Sequence, residues 1–392
     1  MQDIEYEINV LKKIVSYNTD SVTKSYYREC AETIAEEAEK IGLKTEIYDA
    51  RHKAKDNLPR PNVVATLDVG APKTILCIAH YDIVPAGNGW KYDPFTLTVE
   101  GGRAYGRGAA DDKSAIATLL GAARKVGESA KMNMKILATA DEEVGGELGL
   151  GYLINDVGIS GDEALIVDAG TEILSIGASG IVSGTITVKG IQGHAGYPHK
   201  ALNAVEGLCR LVTDLEKFKS FRENKLSKFD APPGSYKPKV WGRFSVTMLQ
   251  AGMKSNIIPG VATATFDMRL LPEEDEAKAK MELEEFISKV NLGDPRYKVE
   301  LNISLSGGNY FTDPSLPLVQ NFRRAIEKVT GKAIPIAAEL GGNDGRYTSA
   351  KGIPTICYGP IRNDTNFHGV NEFVWLEDIK SVRDTICWYI TH

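Results

Sequence analysis

Cysteine is scarce in this chain, and its five copies, Cys30, Cys77, Cys209, Cys357 and Cys387, are scattered and form no CxxC pair. An odd, dispersed set argues against a disulfide framework and predicts reduced thiols in a cytoplasmic setting, with the chemistry placed on other side chains. No uninterrupted apolar run is long enough to span a bilayer, so no membrane partner is expected. Positive charge is not in excess either: 46 Lys and Arg stand against 52 Asp and Glu, a net charge of -6, with the two signs interspersed. Without a basic stripe a nucleic-acid partner is not expected. The opening MQDIEYEINVLKKIV carries acids where a secretory leader needs a basic region. Its spacing predicts instead an amphipathic helix with Ile4, Ile8, Leu11 and Ile14 on one side.

What is present is an ordinary globular composition, 43% hydrophobic and 25% charged, over 392 residues. That length is large for one core and predicts two domains or one domain with a large insertion. Short apolar strands (NVVATL, TILCIAHYD, MKILATAD, EALIVD) alternate with helical stretches at 24–42 and 112–127. This alternation predicts an α/β domain whose central, mixed sheet is covered by helices. The texture changes near residue 180, where GIVSGTITVKG alternates as a half-exposed strand does. Helices at 201–219 and 273–290, with strands near 240–249 and 261–270, predict an inserted two-layer α+β domain. The expected division is 1–179 for the first part of the catalytic domain, 180–294 for the insert and 295–392 for the second part.

Acids and histidines gather at strand ends. His80 and Asp82 close TILCIAHYD, and residues two apart on a strand project to one face. Asp111 sits in the glycine-rich turn of GRAYGRGAADDK, Glu142 and Glu143 follow MKILATAD, and Asp168 ends EALIVD. Ligands of open α/β sheets bind outside the carboxyl ends of the strands. Each cluster alone has a plain reading: a hydrogen-bonded HxD, a turn that needs positive φ, acids at a helix start, a loop histidine at His368. GGRAYGRG lacks the GxGxxG spacing of a dinucleotide fingerprint. Taken together, converging carboxylates repel one another unless cations neutralise them. Histidine nitrogen with carboxylate oxygen suits Zn²⁺, Co²⁺ or Mn²⁺, and two such ions sharing a carboxylate form a recurrent hydrolytic centre.

The ordered set HxD, YGRGAxDxK, Glu-Glu, GxxGHxxYPH, NxIPxxAxxxxDxR, GGxDGR and a late His before xVNE resembles the co-catalytic zinc deacylases and exopeptidases. That family includes succinyl-diaminopimelate desuccinylase, acetylornithine deacetylase, aminoacylases and glutamate carboxypeptidase. The resemblance runs over nearly the whole chain. It implies two divalent metal ions, zinc foremost with cobalt or manganese as alternatives. His80 and Asp168 would be terminal ligands of one, Glu143 and His368 of the other, with Asp111 as the bridge. Asp82 would orient His80, and Glu142 would serve as general base and then acid. His194 would stabilise the oxyanion, from the neighbouring subunit's insert in dimeric members, so the insert becomes a dimerisation or lid domain. Arg269 and Asn256 would hold a substrate carboxylate, for which a guanidinium fork is suited, and Gly341 and Gly342 would line the site. His199 and Arg346 lie near these motifs without an assigned role.

The implied reaction is removal of an N-succinyl or N-acetyl group from an amino acid with a free carboxylate; a dipeptidase or carboxypeptidase is the alternative. The expected partners are a small N-acyl amino acid or short peptide and a second copy of the chain. Asp168 departs from bacterial desuccinylases and deacetylases, which usually carry Glu there, while some dipeptidase relatives carry Asp. LGGNDG likewise replaces their Ser/Thr-rich loop. An inactive binding protein on the same scaffold would lack a ligand or Glu142, and none is missing. A two-metal phosphoesterase would want basic groups around the phosphate, for which only Arg269 and Arg346 are candidates.

Overall fold

A strand such as TILCIAH, apolar at every position, is stable only with both faces covered. Thr74–His80 is buried along nearly its whole length at the centre of a nine-stranded mixed sheet. It pairs in parallel with Asn133–Thr139 on one side and Glu163–Ile166 on the other, and Thr355–Cys357 extends the parallel run. Pro61–Leu67 and Lys44–Asp49 are added antiparallel beyond Asn133–Thr139. The computed structural model describes residues 2–392. Helices Glu5–Val15, Lys113–Val126 and Leu376–Thr391 bury apolar stripes, including Leu11, Ile14, Leu119, Leu120, Ile379 and Ile386. The strands named here and these helices lie in a unit made of Met1–Gly177, Phe311–Ala337 and Asn343–His392.

The parallel run places the carboxyl ends of its strands side by side. His80 is in register with Thr139, and Ile78 with Ile166, so the residues following these strands emerge at one edge. A separate three-stranded sheet, Phe373–Trp375 with Arg103–Tyr105 and then Thr98–Glu100, joins two segments far apart in sequence. The sequence pattern did not reveal it, because its strands are only three residues long.

The second unit, Ala178–Tyr310 with Ala338–Gly342, is built on a four-stranded antiparallel sheet. Its order is Arg243–Ala251, Val261–Arg269, Ile181–Lys189, Lys298–Gly307. Alternate residues such as Val182, Ile186, Val188 and Phe266 pack with Leu208, Leu211 and Leu283 from the helices Ala204–Glu223 and Glu276–Ser288. Asn203 and Asp275 cap those helices, each accepting a backbone N–H at 3.1 Å. The strand Lys298–Gly307 was expected to reopen the first unit, with the boundary at 294. It pairs instead with Ile181–Lys189, and the unit runs on to Tyr310. KVELNISLSG alternates as a one-face-covered antiparallel strand does, a period that the apolar parallel strands lack. The polar stretch after residue 225 also forms a hairpin, Leu226–Asp230 with Lys239–Trp241.

Candidate metal centre

His80, Asp82, Asp111, Glu142, Glu143, Asp168 and His368 all belong to the first unit. His80 is the last residue of its strand and 2% exposed, with its imidazole fixed at both nitrogens. Nδ1 lies 3.0 Å from the backbone carbonyl of Asp82 and 3.4 Å from its carboxylate, while Nε2 lies 3.0 Å from Asp111 Oδ1. The other carboxylate oxygen of Asp111 lies 3.0 Å from His368 Nε2, and that nitrogen is 3.2 Å from Glu143. Asp111 therefore presents one oxygen to each histidine.

Asp82 has a second set of contacts: its carboxylate accepts the backbone N–H groups of Glu142 at 3.1 Å and Glu143 at 3.2 Å. One fully buried side chain thus ties the His80 strand end to the Glu-Glu turn. Asp141, in the left-handed region at φ 62°, is held on the other side of that turn. Lys24 donates to it at 2.7 Å, Tyr27 at 3.3 Å, and Arg60 closes the cluster. Gly146 is required here, because a Cβ would lie 2.1 Å from the Asp344 carboxylate. The Asp111–Asp112 peptide bond is cis.

The electrostatics favour added positive charge. Burial opposes the imidazolium of His80, yet hydrogen bonds and charge from Asp111 and Asp82 raise its pKa well above the ordinary value. Hydrogen bonds donated to Asp111 and Glu143 raise His368 to about 10. Burial, then the neighbouring Asp344 charge, pushes the Glu142 carboxyl well above its usual range, and burial likewise raises Asp344 to about 6. Both Asp344 carboxylate oxygens are buried without a hydrogen-bond partner.

This donor set fits a pair of divalent cations. His80, Glu142 and Asp168 offer ligand atoms within 4.8 Å of one another, as do His80, Asp111 and Glu143. Nitrogen and carboxylate oxygen without thiolate is the donor chemistry of hydrolytic zinc, cobalt and manganese centres. Glu142 falls within one of these groups, although the sequence reading makes it the base; its neighbour Glu143, in the other group, is hydrogen-bonded with His368.

The remaining expected residues lie in the second unit. His194 pairs with Ile257 across a short bridge and accepts the Gly196 N–H at 3.0 Å. Asn256 accepts the Ala195 N–H through its carbonyl at 3.0 Å, and Gly341 accepts that of Ser179 at 3.0 Å. Arg269 is paired by both arms with Asp267, at 2.8 and 3.2 Å. Directly across the sheet, Arg243 is its register partner and donates to Ser179 Oγ at 2.7 Å. Burial and the nearby Arg269 charge lower Arg243 to about 10. Sequence reasoning passed over Arg243, since only strand pairing brings WGRFSV beside FDMRL. His199 is exposed in the turn Pro198–Lys200. Arg346, in the first unit, donates to the Gly145 carbonyl beside the Tyr347 hydroxyl.

Comparison with known proteins places the chain in a family. Residues 76–391 match the model of peptidase family M20/M25/M40. The chain is 30% identical over 319 residues to a succinyl-diaminopimelate desuccinylase of Sulfurimonas denitrificans, covering 79% of this chain and 81% of that protein. An M20 family metallo-carboxypeptidase from Sulfolobus solfataricus shares the fold with a TM-score of 0.78, at 21% identity and 99% coverage of both chains. Human carnosine dipeptidase 1 does so with a TM-score of 0.75 at 18% identity, over 100% of this chain and 96% of that one. The chain belongs to peptidase family M20/M25/M40 and is a metal-dependent hydrolase of linear amide or peptide bonds.

Proposed function

We propose that the chain removes an N-acyl group, succinyl or acetyl, from an amino acid bearing a free carboxylate. The observation that carries this reading is the carboxylate of Asp111 set between two histidines, beside a Glu-Glu turn anchored by Asp82. His80 and Asp168 would hold one divalent ion, Glu143 and His368 the other, and Asp111 both. When bound, such ions lower the pKa of a water and polarise the amide carbonyl. Glu142 takes the proton from the attacking water and delivers it to the nitrogen of the breaking C–N bond, so that the amine leaves neutral. Asp82 keeps His80 and the backbone of Glu142 in place through this transfer.

In the second unit, His194 is the proposed donor to the oxyanion, with Gly341 and Gly342 as backbone lining. Arg269 and Asn256 are the proposed carboxylate contacts. We add Arg243, whose half-buried guanidinium has a hydroxyl rather than a carboxylate as its hydrogen-bonded neighbour. The insert is proposed to form a homodimer through the edge strand Arg243–Ala251, which exposes Met248 and Leu249. A dipeptidase or carboxypeptidase is the second reading, favoured by Asp168 in place of the glutamate usual in bacterial desuccinylases.

Dialysis against a chelator, followed by assay of N-succinyl, N-acetyl and dipeptide substrates with Zn²⁺, Co²⁺ or Mn²⁺, tests both. The expected result is loss of hydrolysis on chelation, recovery with metal, and the highest kcat/KM on an N-acyl substrate with a free carboxylate. Full activity after metal removal would end the reading, and dipeptides cleaved faster than every N-acyl substrate would select the second one.

A further inference from the structure

The bridging aspartate and the late histidine stand on two loops that no regular element joins directly. One loop follows strand Arg103–Tyr105 and carries Asp111; the other precedes strand Phe373–Trp375 and carries His368. These two strands pair antiparallel, Phe373 opposite Tyr105, which brings Arg107 and Glu372 together. Arg107 is 1% exposed and Glu372 0%. The Glu372 carboxylate accepts backbone N–H groups from Gly108 at 3.1 Å, Ala110 at 2.8 Å and Asp111 at 3.0 Å, so it grips the loop up to the bridging residue itself. Arg107 donates to Glu372 at 2.5 Å and reaches across to the carbonyls of Gly369 at 2.9 Å and His368 at 3.4 Å.

The second loop needs such a tie. Asn366, His368 and Asn371 all lie in the left-handed region, at φ 53°, 63° and 57°. Non-glycine residues persist there only when their surroundings hold them. His368 is otherwise exposed on its loop, whereas Asp111 is 9% exposed.

We infer that Arg107 and Glu372 are positioning residues of the metal centre, clamping the Asp111 loop to the His368 loop so that the bridging and terminal ligands keep one spacing. Neither residue touches the reacting atoms; both act through the ligands they hold. The inference rests on the metal reading above. On that reading the same pair would fix Asp111, which would serve both ions, and His368, which would serve one, so loosening it is expected to weaken the His368-side site most. Groups that orient metal ligands typically alter affinity about 10–100-fold when removed.

The test is Co²⁺ binding to the full-length chain, followed by its visible absorption and by competition with a chromophoric chelator. Wild type is expected to bind two equivalents. Glu372→Gln keeps the shape and removes the charge; it is expected to keep its far-UV circular dichroism while binding the second equivalent at least about tenfold more weakly. Arg107→Lys, which keeps the charge but loses the fork, is expected to shift the same equivalent in the same direction and serves if Glu372→Gln fails to fold. Glu7→Gln breaks another buried pair of this unit, with Arg383 at 2.8 Å, and is expected to lower Tm without changing Co²⁺ affinity. Glu372→Gln and Arg107→Lys proteins that bind both equivalents as tightly as wild type, with only Tm reduced, would overturn the clamp. A wild-type chain that binds no Co²⁺ would instead overturn the metal reading beneath it.

Discussion

At the scale of single residues, Glu142 and Asp82 divide the labour. In the proposed reading Glu142 moves the proton, while its backbone is held by Asp82 and its neighbour Glu143 is hydrogen-bonded with His368. Glu142→Gln preserves volume and removes only the proton acceptor. It is expected to lower kcat by about 10²–10⁴-fold with metal content unchanged, checked by steady-state kinetics beside metal analysis. A variant as fast as wild type would remove the base assignment. HxD and the Glu-Glu pair were readable from strand-end position alone, but the contact of Asp82 with the Glu142 and Glu143 amides was not. That contact joins residues sixty apart in sequence and exists only because strands Thr74–His80 and Asn133–Thr139 run in parallel register.

At the scale of elements, the last helix is the hub of the first unit's helical layer. Leu376–Thr391 meets the first helix through Arg383 and Glu7 at 2.8 Å. It meets Lys113–Val126 through Cys387 and Ala122, and Pro317–Thr330 through Tyr389 and Phe322, whose ring centroids lie 5.2 Å apart. Asp384 receives Lys125, Lys380 and Arg383 at 2.8–2.9 Å. Burial alone would raise its pKa; the three cations outweigh this and bring it down to about 2. Since the folded value lies below the unfolded one, near 3.8, the stabilisation is complete at neutral pH and is lost as pH falls from about 4 towards 2. Allowing for solvent screening, Asp384→Asn is expected to cost about 1–2 kcal/mol at pH 7, with the gap to wild type closing as pH is lowered through that window. Urea denaturation across pH measures it; a gap independent of pH would show that the ion cluster is not the cause. Element type was largely legible here: the predicted helix at 112–127 is found at Lys113–Val126, because its apolar period is strong. Strands of three residues carry no period to read, which is why Arg103–Tyr105 and Phe373–Trp375, and with them the roles of Arg107 and Glu372, went unseen.

At the scale of the whole molecule, the second unit leaves the long edge strand Arg243–Ala251 with Met248 52% and Leu249 58% exposed. Exposed apolar residues on an unpaired edge invite a further strand. Sedimentation equilibrium is expected to find a dimer for wild type and a shift towards monomer for Leu249→Glu; a wild-type monomer at micromolar concentration would exclude this interface. Among the described residues no helix is long and apolar enough to cross a membrane.

The chain itself determined the alternation of buried strands and helices, the half-exposed texture of the insert, and the candidate metal-binding side chains at strand ends. Those are local properties: a burial period and a donor type can be read from neighbours in sequence. Tertiary structure decided which carboxylate oxygen meets which histidine, that Lys298–Gly307 closes the second sheet, that Arg243 lies across from Arg269, and that one buried ion pair spans the two ligand loops. Each of these depends on strand register and on contacts between residues far apart in the chain, and no pattern of neighbouring residues encodes them.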